Sequence, residues 1–301
     1  KNQALKQARV NAQNKFTALN HKNVKGKKDI IEGIRSIFDQ DGSNQILSIT
    51  NMKRTELSLV HAPLAEFMEK FRTGYFGRRN KFQKMTMPLV VKEILEPGST
   101  ANPLAKEFAK AINEAMEIGR TRTNQFGGRI AKIKGNYLPQ PHNSTKIGRV
   151  PQEEWTNDIS SYLDLEQMIN NKTNRSFTQE ELLLELPNIY NAIRTEGVSR
   201  LTPGTRMGSS SLGSTNLDHR FLVFKDAESY LAYQSKYGDA DVISTIYQHL
   251  ESISRDTAMM RALGPNPNSG FRFLKDIVRI ETKDLDLKPQ DAIRGKVEGL
   301  E

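Results

Sequence analysis

Apolar positions along the chain recur mostly at helical spacing, punctuated by capping residues, glycines and prolines. The clearest stripe is Leu104, Phe108, Ala111, Ile112, Ala115 and Met116, at i, i+4, i+7, i+8, i+11 and i+12. Asn102-Pro103 precedes it, an N-cap residue and a proline whose missing N–H costs nothing in the first turn. Gly127-Gly128 closes it, so a core-facing helix is predicted there. Thr178-Gln179-Glu180-Glu181 has the form of a capping box and opens the run Leu182, Leu183, Leu186, Ile189, Tyr190 and Ile193, which Gly197 is placed to end. Asp29 and Glu32 offer the same reciprocal arrangement before a helix that the turn Asp41-Gly42-Ser43 stops. Between Thr55 and Phe71 the spacing becomes helical from Val60, with Pro63 read as a start or a kink. Asp226 is placed to cap a helix ending at Tyr237-Gly238, and Asp239 or Asp241 to cap the next, which carries Val242, Ile243, Ile246, Tyr247, Leu250 and Ile253. Gly264-Pro265-Asn266-Pro267 ends it, and a last helix is expected from about Phe271 to Ile280. Residues 1–20 read as a polar helix that needs a partner, and the tail beyond Lys283 as a charged segment that frays.

Two stretches break the pattern. Gly135-Asn136-Tyr137-Leu138-Pro139-Gln140-Pro141-His142-Asn143 is expected to run extended, as a strap over other elements. Residues 198–218 are rich in Ser, Gly and Thr and read as a flexible loop. Phe221-Leu222-Val223-Phe224 suits a short strand. The expected fold is therefore mainly α: a multi-helix assembly with an extended, proline-containing strap and at most one short β element. The chain divides on this reading into a basic helical region (1–134), an extended strap or linker (135–175) and an acidic helical region (176–301).

Charge sharpens that division. Residues 1–150 hold 27 Lys and Arg against 12 Asp and Glu, a net of +15, and residues 151–301 hold 17 against 23, a net of -6. Either the first half meets a polyanion or the two halves pair with each other. No segment approaches the roughly 20 apolar residues that span a bilayer, and mean hydropathy is -0.60. The chain opens on Lys1 rather than methionine, as a piece of a longer protein does.

Candidate chemistry is sparse. There is no cysteine, which removes disulfides, thiolate metal sites and cysteine nucleophiles. The histidines at 21, 61, 142, 219 and 249 show no metal-ligand spacing, so neither metal nor cofactor is expected. His219, between Asp218 and Arg220, is read as a structural hydrogen-bonding residue. The loop at 208–215, with Arg200 and Arg206 nearby, lacks the order of a phosphate-binding loop. Glu66, Glu69, Glu180 and Glu181 fit solvated helix faces. The segment from Phe71 to Phe82 is more suggestive, because Arg72, Arg78, Arg79 and Lys81 interleave with aromatics and glycines. With Lys84 and the cluster Lys22, Lys25, Lys27 and Lys28 it forms a candidate nucleic-acid-binding patch, by phosphate neutralisation and ring stacking. The alternative is a helix connection with its aromatics packed inward and its cations solvated.

Three segments together resemble the large internal virion proteins of tailed bacteriophages. They are Gly135 to His142, His219 to Ala227 with Tyr233 and Tyr237-Gly238, and Leu263-Gly264-Pro265-Asn266-Pro267. The resemblance spans about residues 100–275. It implies a helical module of a longer protein packaged in the phage head and linked to DNA ejection, assembling with other virion proteins or itself, and delivered to the host envelope or cytoplasm. It carries no catalytic residue, so the expected role is structural or interactive rather than enzymatic. The competing expectations are a virion-carried enzyme, such as a peptidoglycan lyase or nucleic-acid enzyme with a site assembled from distant residues, and a host-directed or membrane-conduit component.

Overall fold

Five side chains at helix starts accept hydrogen bonds from the first turn and so set where much of the chain becomes helical. Asp29, Asn102, Thr178, Asp226 and Asp241 bind the backbone N–H of Glu32, Leu104 and Ala105, Glu181, Ser229 and Ser244 respectively. At Thr178 the capping box is complete, with Glu181 accepting from the Thr178 N–H in return. The computed structural model describes residues 2–22, 25–26, 28–39, 48–70, 86–128, 130, 132, 138–170, 175–195, 222–238 and 241–281. The protein is mainly α-helical, with α1 (Asn2–Asn20), α2 (Ile30–Phe38), α3 (Ile49–Lys70), α4 (Met87–Leu95), α5 (Pro103–Gln125), α6 (Ser144–Gly148), α7 (Gln152–Ser160), α8 (Gln179–Arg194), α9 (Ala227–Tyr237), α10 (Val242–Leu263) and α11 (Pro267–Glu281). Its named strands, β1 (Ile169–Asn170) and β2 (Arg175–Ser176), form one two-residue antiparallel ladder.

Three apolar cores organise these helices. In the first, α3, α5 and α10 pack on one another, with α4 and the start of α9 beside them. Val60, Leu64, Phe108, Ile112, Ile246 and Leu250 are nearly inaccessible there, and Phe67 stacks on Phe108 at 4.4 Å between ring centroids. The second core gathers Ile147, Trp155, Ile159, Leu182, Leu186 and Tyr190 from α6, α7 and α8. The third joins α1, α2 and α11 to the C-terminal half of α10 through Ala18, Ile34, Ala262, Leu274 and Ile277. α10 thus lends its first half to one core and its second half to another. The +15 and -6 halves share these cores, and Lys53–Glu251 and Lys28–Glu281 ion pairs also join them.

Several expectations need correction. α3 begins at Ile49 and runs through Pro63, which is buried inside the helix and leaves the Leu59 carbonyl without its usual i+4 donor. In the 135–175 region the extended strap, where described, gives way after Asn143 to two helices, and extended chain returns only as β1 and the start of β2. Asn143 caps α6, and Pro151 leads into α7 with Glu153 and Glu154 in its first turn, so this region builds a core instead of linking two. α2 ends at Phe38, and the turn at 41–43 lies outside the described residues, as do Gly197, Asp239, the 198–218 loop and the tail after 283. α11 starts at Pro267, because Asn266 accepts from the Ser269 N–H. The Phe221–Phe224 run contributes only a single bridge, Phe224 to Leu163, and the strand pair lies elsewhere.

Candidate functional site

The cation cluster after α1 sits on a tight reversal. Lys22 and Lys28 face each other across an antiparallel bridge, the Asp29 N–H donates to the His21 carbonyl, and Gly26 takes a φ of 72° that a side chain rarely adopts. Lys22, Lys25 and Lys28 are exposed, with the Lys28 ammonium 4.0 Å from Glu281. The structure therefore brings three of the predicted nucleic-acid-binding residues onto one loop. Lys27, Arg72, Arg78, Arg79, Lys81 and Lys84 lie outside the described residues, as do His219, Arg200, Arg206 and the 208–215 loop.

Two of the three phage-like segments meet. The strap at 138–143 lies against residues 222–224 and α9, held by bonds to main-chain carbonyls. Gln140 Nε2 donates to Leu222 O at 2.8 Å, Tyr230 Oη to Pro139 O at 2.8 Å, and the Asn143 N–H to Tyr237 O at 2.8 Å. Lys146 Nζ reaches Gly238 O at 2.8 Å, and His142 Nδ1 lies 2.7 Å from Tyr233 Oη. The third segment is the corner between α10 and α11. Gly264 has a φ of 94°, and Gln7 of α1 clasps the turn, donating to Leu263 O at 2.6 Å and accepting from the Asn266 N–H at 2.9 Å.

Two charged clusters have no counterpart in the sequence reading. Glu56 on α3 is 1% exposed and accepts from both Arg122 (α5) and Arg261 (α10), at 2.7 and 3.3 Å, while both guanidinium groups lie over the Phe126 ring. In the second cluster, Asp158 takes bonds from Lys236 Nζ at 2.9 Å, Tyr237 Oη at 2.7 Å and Tyr162 Oη at 3.2 Å. Burial works against its ionisation, but the Lys236 and Tyr237 bonds outweigh that and hold the carboxyl below its usual range. Burial pushes the Tyr233 and Tyr237 hydroxyls well above theirs. The only sequence clue to either cluster was a carboxylate at 56 in an apolar stripe.

Elsewhere, burial lowers the His61 pKa against the opposing pull of Glu251, favouring the neutral ring against Tyr247. Glu66 and Glu69 are exposed, as a solvated helix face requires, and Glu181 is spent on its cap and on Arg175. No group of three or more His, Asp or Glu able to hold a metal ion occurs among the described residues. No described helix is long and apolar enough to cross a membrane. A groove of about 340 Å³ opens between α1, α2, α3 and α10, where Val10, Phe16, Ile37, Met52 and Ala262 alternate with polar side chains such as Gln13, Asn20 and Arg261. No protein-family model matches this chain, no curated protein matches it in sequence, and no solved structure matches it.

Proposed function

We propose that this chain is a structural and interaction module of an internal, ejection-associated virion protein of a tailed phage. In this role it sits in the phage head, assembles with other virion proteins or with itself, and contacts DNA through the basic residues between 22 and 84. One observation carries the non-catalytic part. Polar side chains of the phage-like segments are turned to other parts of the fold: Gln140 donates to the Leu222 carbonyl, His142 meets the Tyr233 hydroxyl, and Lys225 donates to the Ser161 carbonyl. These bonds fix how the chain passes over α9; they are architecture. The exposed lysines of the 22–28 reversal support the DNA part, since a loop of unburied ammonium groups suits a polyphosphate. Delivery to the host envelope or cytoplasm follows from the resemblance alone.

The test is retention of the full chain on duplex and single-stranded DNA across a salt series. Binding should weaken linearly in log[salt], and Arg72→Ala/Arg78→Ala/Arg79→Ala/Lys81→Ala should flatten that slope by about one unit for each phosphate no longer neutralised. Lys22→Ala/Lys25→Ala/Lys28→Ala should act in the same direction. No retention of the wild type at low salt removes DNA from the proposal. Turnover of peptidoglycan or nucleic acid by the purified chain would replace the structural reading with an enzymatic one.

A further inference from the structure

The outer face of α1 is exposed among the described residues. Leu5, Ala8, Ala12 and Phe16 lie on it at intervals of three, four and four residues, all exposed, with Leu5 at 66% and Phe16 at 64%. Arg9 and Lys15 stand exposed on the same helix. The first 28 residues contain eight cations and no carboxylate. Beside this face lies the groove, where Val10 and Phe16 of α1 meet Ile37, Met52 and Ala262 among polar side chains that include Gln13, Asn20 and Arg261. A stripe of this kind on a basic helix suits an acidic partner that carries its own apolar knob.

The chain displays such a partner on its other side. On α8, Leu184 is 77% exposed and Leu183 is 39% exposed. They lie between Glu180 and Glu185, and from Gln152 to Asn188 the chain holds eight carboxylates against two cations. The inner face of α8, with Leu182, Leu186 and Tyr190, is already committed to Trp155 and Ile159 in the second core, which leaves the leucine pair in water. Among the described residues both surfaces face solvent in the same folded chain, so a contact between them joins two copies.

We infer that the acidic, leucine-bearing face of α8 in one copy docks on the basic face of α1, with its Leu5–Phe16 stripe and the groove beside it, in the next. The contact is heterologous, one surface meeting a different surface, so repetition gives a ring or a filament rather than a closed two-fold dimer. The leucines fill the groove beside Phe16, and Glu180 and Glu185 approach Arg9 and Lys15. Charge sets the orientation and the apolar contact supplies the affinity. This deepens the assembly part of the proposed role and rests on it. Its test reads self-association without DNA, so failure here leaves DNA contact or assembly with a different protein standing.

The experiment is sedimentation velocity and light scattering of the full chain over a concentration series at low and high salt. The wild type should associate with rising concentration, without stopping at a dimer, and less at high salt. Leu183→Ser/Leu184→Ser should weaken association about tenfold or more. Arg9→Glu/Lys15→Glu and Glu180→Lys/Glu185→Lys should each be monomeric alone, with unchanged helicity and melting temperature. Mixed, they should associate again, because each α1 then meets an α8 of opposite sign. A wild type that stays monomeric overturns the inference, whether or not it sediments with phosphatidylserine vesicles. So does association that survives both charge reversals, or a mixture that fails to reassemble.

Discussion

A single carboxylate decides how the first core is closed. Glu56 stands in the buried stripe Met52, Glu56, Val60, Leu64 and Phe67, where an apolar side chain would be expected. Its charge is tolerable there because Arg122 and Arg261 reach it from two other helices with about a quarter of their own surfaces in water. The bonds tie α3, α5 and α10 at the end where Phe126 covers both guanidinium groups. Glu56→Gln keeps the shape and removes the charge, leaving two cations facing an amide. It should lower stability by about 2–3 kcal/mol, somewhat less than for a fully buried pair because both arginines keep some solvent. Urea denaturation checks this, and an unchanged midpoint would mean that the ion pairs are incidental.

Elements that announce themselves by their ends were legible in the sequence; those defined by what they pack against were not. The caps at 102, 178 and 226 act as read, Asp29 caps through its side chain while its own N–H goes to the His21 carbonyl and not back to Glu32, and Asp241 rather than Asp239 begins α10. The N-terminal half of α3 was hidden because Glu56 interrupts its apolar period. α6 and α7 were hidden by Pro139, Pro141 and Pro151, although Asn143 and Glu153-Glu154 are ordinary start signals. The candidate site was legible only in its local part, the lysine cluster. Glu56 and Arg261 lie 205 residues apart, and nothing local in a sequence marks such a pair. The seating of α1 on α2 is of the same kind. A Cβ at Gly33 would lie 2.8 Å from Ala18 O and 2.9 Å from Ala18 Cα, so glycine alone lets the two helices approach. Gly33→Ala should therefore cost about 1–2 kcal/mol despite alanine's better helix propensity. A stabilised variant in the same denaturation assay would show that the helices separate freely.

Across the whole molecule, α9 is the joint between the first and second cores. Tyr230 belongs to one, and Tyr233 and Tyr237 to the other. Phe224 touches both, with its ring centroid 5.7 Å from that of Tyr230 and 5.1 Å from that of Tyr233. Trp155, the sole tryptophan, is fully buried in the second core, so its fluorescence reports on that core while far-UV circular dichroism reports on all helices. In the wild type the two signals should change together on denaturation. Phe224→Ala should separate them, with the tryptophan transition moving to lower denaturant by an amount equivalent to about 2 kcal/mol. Coincident transitions in the variant would place the coupling elsewhere.

The clasp on the α10–α11 corner also sets a clock. Asn14 bonds to Ala262 O across 248 residues of sequence, and Gln7 to the Asn266 N–H across 259. α1 is made well before the corner that anchors it. At ribosomal speeds of about 5–20 residues per second, α1 waits roughly 10–50 s for the surface that receives it. Through that interval α1 has α2 to pack on but lacks the corner that clasps it, and its outer face stays open to whatever anionic or apolar surface it meets first.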